Sequence, residues 1–244
     1  MKAAGYNPFT HRKMNSNVQS LRVALVYDRV NTPHGGAERV LLSLHTLFPQ
    51  APLYTSLYDA DVAQWANVFD VRPSFLQQIP FAKKNHRELL ALMPLAFSRI
   101  DLSGYDLVLS VTSAEAKGVK VGKSALHVSY LLTPPRYLWS HTHEYQTGAL
   151  KHLRALVFSY LRRWDFRISQ NITALIPISQ LVKKRAEKYY QRQIEEVIYP
   201  PFHFKAISKK QKTFRNIDAY YLIVGRLVSD KKVDMVIRTC ARLQ

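Results

Sequence analysis

The chain has 244 residues, a formal net charge of +18 and 47% hydrophobic residues, with 14 Tyr and 11 Phe. That composition excludes disorder along the whole chain, and the single cysteine, Cys240, excludes a disulfide framework or a cysteine-based zinc site and suits a reducing compartment. No apolar run reaches the ~18–20 residues that cross a bilayer, and residues 1–20 lack the apolar stretch of a secretory signal, so the expectation is a disordered leader on a cytoplasmic protein.

In chain order, the apolar run 21–27 predicts a strand that stops at Asp28. Residues 33–37 (Pro-His-Gly-Gly-Ala) form a turn, and Val40, Leu41, Leu44 and Leu47 recur at helical spacing, so a helix starts near Ala37. Further strands are predicted at 53–58 and 71–75, with a helix over 61–69 between them. An apolar segment at 87–97 contains Pro94, which should kink or end a helix. Strands at 105–110 and 125–132 follow, the second closed by Thr133-Pro134-Pro135.

Leu150, Leu153, Val157, Leu161, Trp164 and Ile168 repeat at three and four, predicting a long amphipathic helix ringed by Lys151, Arg154, Arg162 and Arg163. A strand at 174–178 leads to Ser179, a good N-cap for a helix over 180–190. The last strand of this block is expected at 196–199, before Pro200-Pro201. A polar, basic stretch follows, and the apolar run Tyr220 to Val224 predicts another strand. It enters a loop carrying Arg226 and Lys231 and then a helix. Cations beside a helix N-terminus suit a diphosphate, because both favour negative charge.

Alternating strands and helices argue for a parallel α/β sheet whose site lies at the carboxyl ends of the strands. The organisation read from the sequence is a leader at 1–20, a domain at 21–202, a basic linker at 203–217 and the start of another domain at 218–244. The charge is regional: between Thr147 and Ile217 there are fifteen Lys or Arg and four acids, which places +11 of the +18 there. Such a segment points to an anionic partner: nucleic acid, an anionic membrane surface or a phosphorylated substrate.

Several segments together suggest a reaction. Asp28, Gly35-Gly36-Ala37-Glu38-Arg39-Val40, the stretch Ile100 to Val108, and Ala116-Lys117-Gly118-Val119 come first. Tyr130 to Trp139 with its Thr133-Pro134-Pro135-Arg136-Tyr137, Ile178-Ser179, Ile198-Tyr199-Pro200-Pro201 and Val224-Gly225-Arg226 with Lys231 complete the series. In that order they resemble the family 4 retaining glycosyltransferases of the two-domain GT-B type, most closely the mannosyltransferase-like members, over about residues 21 to 244.

The resemblance implies two Rossmann-like domains facing across a cleft. The N-terminal one receives a saccharide or lipid-linked acceptor, and the C-terminal one holds a nucleotide-sugar donor. A hexose would be transferred with retention, without a required metal or cofactor. Mannose from a guanosine diphosphate donor is the family-based expectation, on the inner face of the plasma membrane. By position, Gly35 and Gly36 would lie beneath the donor phosphates and transferred sugar, and Arg226 and Lys231 would neutralise the leaving diphosphate. Asp28, Arg136 and Tyr137 are the acceptor-side candidates. Two positions depart from the family: Leu132 stands where members often carry His, and Ala114 where a second His is found. The family's E-x7-E glutamates would lie beyond Gln244 on this reading. The second domain is therefore expected to be incomplete and the chain inactive alone, leaving as alternatives a non-catalytic acceptor- or membrane-binding remnant or half-enzyme and, behind it, a basic nucleic-acid-binding protein.

Plainer readings stand beside these. Gly35-Gly36 can be a turn requiring positive φ, and Glu38 a first-turn acid favoured by the helix dipole. Arg226 and Lys231 can belong to a solvated loop. Thr133-Pro134-Pro135-Arg136 can be a rigid turn with Tyr137 and Trp139 in the core. The helix over 150–168 can pack with its cations in solvent or dock on anionic lipid headgroups; no nucleic-acid module is recognisable. His141 and His143 share a face only in a strand and lack a third zinc ligand.

Overall fold

The structure, a computed structural model, describes residues 21–82, 88–140, 142, 151–202, 221–225, 227 and 231–242. The chain divides into two compact units, Met1–Phe202 and His203–Gln244. The expected leader at 1–20, the linker at 203–217, His141, His143 and Arg226 lie outside the described residues.

The first unit is a parallel α/β sandwich of Rossmann-like type. Its strands are β1 (Val23–Tyr27), β2 (Leu53–Thr55), β3 (Val71–Pro73), β5 (Leu107–Thr112), β7 (Leu126–Leu131) and β8 (Ala174–Pro177). They form one sheet in the order β3-β2-β1-β5-β7-β8, with every adjacent pair parallel. Two short strands, β4 (Asp101–Leu102) and β6 (Lys120–Val121), pair separately. β1 is buried at every residue, which is why it reads as an unbroken apolar run instead of an alternating one.

Helices cover both faces. α1 (Gly36–Leu47) packs Val40 and Leu41 on the side holding Leu25, Leu53 and Val111. α2 (Met93–Ser98) brings Phe97 to the other side, against Ala24, Val26 and Val108. A single helical turn, α3 (Arg136–Trp139), precedes α4 (Lys151–Gln170), which crosses from β7 to β8; α5 (Gln180–Tyr190) follows β8. Ser179 caps α5 as its type predicts, its Oγ accepting from the Val182 amide at 3.3 Å.

Several elements differ from the sequence reading. The strand at 53–58 stops at Thr55, because Tyr58 turns its amide to the Gln77 side chain at 2.9 Å. The 61–69 helix is a 3-10 turn, Gln64–Val68, anchored by Trp65 Nε1 donating to the Thr32 carbonyl at 3.0 Å. Pro94 does not end a helix; it lies in the first turn of α2, where its missing N–H has no intrahelical partner to lose.

Residues 196–199 form no strand. That segment is tied to the sheet by the Ile198 amide to the Pro177 carbonyl and by Tyr130 Oη to the Ile198 carbonyl, not by a ladder. In the second unit α6 (Val233–Ala241) forms as the pattern predicts, but Tyr221 to Val224 is not a strand. An apolar run without a neighbouring strand has nothing to complete a ladder, and none pairs with it among the described residues.

Candidate functional site

The chain leaves β1 toward β2 and β3 on one side and later returns to place β5 on the other. The carboxyl ends of β1 and β5 therefore border a topological switch point, the crevice where open α/β sheets bind ligands. The residues just beyond these two strands are Asp28-Arg29 and Ser113 to Glu115. The turn after β7, carrying Arg136 and Tyr137, joins the same edge.

Asp28 is buried and its carboxylate is fully occupied. It accepts from Thr112 Oγ1 and the Ser113 amide, both at 2.7 Å, from the Ala116 amide at 2.9 Å and from Ser113 Oγ at 3.3 Å. Buried charge persists only with such partners, and here it pins the 112–116 loop to the end of β1. Asp28 builds the crevice floor; its oxygens face this chain.

Next to it, Arg29 pairs with the buried Glu115 at 3.5 Å, and Tyr137 Oη donates a short hydrogen bond to the other Glu115 oxygen. Burial raises the Glu115 carboxyl above the ordinary range; Arg29 opposes that rise and the Asp28 charge adds to it. Burial works against the Arg29 charge, but Glu115 and Asp28 outweigh it and hold its pKa above the ordinary value. Burial and then Glu115 push the Tyr137 phenol well up, so it stays a donor. Arg136, the first residue of α3, is exposed.

The glycine loop lies at the start of α1. Neither glycine has a positive φ, so the turn is not the reason for them. A Cβ on Gly35 would stand 2.8 Å from a Glu38 oxygen, whereas one on Gly36 would meet nothing within 4 Å. Glu38 is a buried first-turn acid, accepting from Tyr27 Oη at 2.8 Å and Thr32 Oγ1 at 3.1 Å. Burial foremost, with the Glu38 charge next, drives the Tyr27 phenol far above its ordinary pKa. The carboxylate packed under Gly35 makes this loop better suited to neutral hydroxyl groups than to a bare phosphate.

The Ala116-Lys117-Gly118 segment has a structural role that its sequence does not reveal. Lys117 is fully buried, paired to Asp165 of α4 at 2.5 Å and donating to the Ala114 carbonyl at 2.7 Å. Trp139 Nε1 donates to the other Asp165 oxygen at 2.7 Å. A Cβ on Gly118 would lie 2.3 Å from the Trp164 ring. This segment seats α4 against the sheet. His127 is likewise a core residue: its Nε2 lies 3.0 Å from Ser110 Oγ, and burial, then Lys117, lower its pKa to about 4. Leu132 packs with the sheet core and Ala114 is buried within the loop Asp28 holds.

The structure thus brings Asp28, Tyr137 and the newly found Arg29 and Glu115 to one edge. Lys231 lies exposed just before α6 in the second unit. Among the described residues no group of three or more His, Cys, Asp or Glu is placed to hold a metal, and no helix is long and apolar enough to cross a membrane. One signal for the buried pair was present in the sequence. Asp165 is the sole acid between Lys151 and Gln170 and falls on the stripe of Leu161 and Ile168, so it required a buried cation. No protein-family model and no curated protein matches this chain.

Proposed function

We propose that this chain is a retaining glycosyltransferase of the GT-B type whose first unit receives a saccharide acceptor at the switch-point crevice. The observation that carries the reading is the grouping at the carboxyl edge of the sheet: Arg29, just beyond β1, held by Glu115 and Tyr137, with the glycine loop at the start of α1 backed by the buried Glu38. Hydroxyl-rich ligands suit such a rim of fixed acceptors and one oriented cation. The ordered resemblance of the segments from Asp28 to Lys231 supplies the reaction class.

On this reading Gly35 and Gly36 face the hydroxyls of the hexose, and the leaving diphosphate is neutralised by Arg226 and Lys231 of the second unit. Preorganised cations act where negative charge develops, so no metal is required for that step. Arg136 contacts an anionic group of the acceptor. GDP-mannose is the first donor to try.

The test is a titration of the full chain with GDP-mannose, UDP-hexoses and manno-oligosaccharides, followed through backbone amide signals. Saturable shifts at Gly35, Gly36, Arg29 and Arg136 are expected with the saccharides, joined by Arg226 and Lys231 with the nucleotide sugars, and saccharide affinity should fall at least tenfold in Arg29→Ala by loss of a charged hydrogen bond. Transfer of labelled hexose into a lipid extract, with the anomeric configuration kept, identifies the reaction and would overturn the expectation that the chain is inactive alone. Absence of any crevice shift with every saccharide and nucleotide sugar overturns the reading.

A further inference from the structure

As the crossover from β7 to β8, α4 starts at the carboxyl edge of the sheet and ends at the amino edge. From Phe158 onward it is anchored: Phe158, Leu161, Asp165 and Ser169 are buried. Its first turns are different, with His152 to Leu156 exposed at every residue. Along the outward face, Leu153, Leu156, Tyr160, Arg163 and Arg167 recur at steps of three and four, a single stripe on a helix. Leu153 is 57% exposed, Leu156 70% and Tyr160 54%, and both arginines are exposed. Apolar residues thus occupy the end of the stripe nearest the candidate site, and cations the far end.

We propose that this stripe docks the first unit on an anionic lipid bilayer surface, with the leucines and Tyr160 entering the headgroup boundary and the arginines meeting lipid phosphates. Exposed leucines in a row mark an interaction surface, and their union with cations on one helix face fits an interfacial helix. Charge decides between occupants. The helix's only acid, Asp165, is buried against Lys117, so a second copy packed with the same stripe, helix on helix, would set arginines against leucines or arginines with no carboxylate to meet them. A nucleic acid would satisfy the arginines and leave the leucines in water. A bilayer of acidic lipids satisfies both. Leu90 packs in the same cluster as Phe158 and Leu161, and Leu92 and Leu95, two and five residues further on, are exposed.

The inference rests on the transferase reading in one respect: docking there would present a lipid-linked acceptor to the crevice. The binding itself does not depend on it. The test is therefore sedimentation of the full chain, without sugar, with phosphatidylcholine vesicles and with vesicles containing roughly one third phosphatidylglycerol. Binding to the anionic vesicles and little to the neutral ones is expected. Arg163→Gln and Arg167→Gln should each weaken it about fivefold, and Leu153→Ser with Leu156→Ser at least tenfold. Circular dichroism and melting temperature should stay unchanged, because these side chains are exposed. Equal binding to both vesicle types, no binding, or binding indifferent to all four substitutions overturns the proposal. So does a concentration-dependent dimer, or a DNA complex, abolished by the same substitutions. Vesicle binding without saccharide binding at the crevice would leave the docking surface standing and sink the transferase reading alone.

Discussion

α1 and α6 arise from similar sequence: each follows a glycine-bearing loop and carries apolar residues at helical spacing, with an acid in the first turn. Their surroundings differ completely. α1 buries Glu38, Val40 and Leu41 against the sheet, whereas no residue of α6 is buried; Met235 and Ile237 are 59% and 60% exposed. Periodicity was enough to form both helices, but short helices gain most of their stability from a packed face. In the first unit that face exists and is locked by a polar network; around α6 the described residues supply none.

The largest effect should come from the lock that the first unit has and α6 lacks. Asp165→Ala leaves the Lys117 ammonium buried without its partner, and urea unfolding should show a loss of about 3–5 kcal/mol. Replacing both, as Lys117→Met with Asp165→Leu, should recover most of that loss. A small effect of Asp165→Ala would mean that α4 is not seated by the pair.

Leu41→Ala, which opens a cavity under α1, should cost about 2–5 kcal/mol in the same assay. The pH response sharpens the contrast in another way. His127 has a folded pKa of about 4, below its ordinary value near 6.5. Between those values the unfolded chain holds more protons, so stability falls as pH drops. The loss is about 1.4 kcal/mol per pH unit and about 3 kcal/mol in all, levelling off below the folded pKa. Unfolding curves for wild type and His127→Gln across that window should lose their difference in slope only if the ring is solvated.

Gly118→Ala should cost about 1–3 kcal/mol, because its Cβ meets the Trp164 ring. The smallest effect belongs to α6: Ile237→Ala should stay within about 0.5 kcal/mol, as exposed positions do. A cost like that of Leu41→Ala would show that α6 is packed in solution and would erase the contrast.

How much was legible varies with the range of the interaction. The α5 cap at Ser179, the α1 start at Gly36 and the α4 repeat depend on neighbours within a turn or two, so they could be read directly. The crevice was half legible. Asp28 and the glycines stood out by position, but Arg29 and Glu115 are separated by 86 residues and no local pattern links them. The same distance effect hid the reason for Gly118, which is a tryptophan on another helix. The strands at 196–199 and 221–224 were misread because a strand is a property of two segments, and β-propensity describes only one.

By itself the sequence determined the alternating α/β order, the helix boundaries set by caps and periodicity, and the placing of glycine and cation loops after strands. Those follow from short-range sterics and hydrogen bonding, which the chain carries wherever it goes. Only the tertiary structure decided that Asp28 faces a loop of its own chain, that Lys117 is a buried lock on Asp165, and that Arg29 stands at the switch point with Glu115. It also decided which face of α4 is left to the outside. Burial and charge pairing depend on what lies across a gap in space, and sequence proximity says nothing about that.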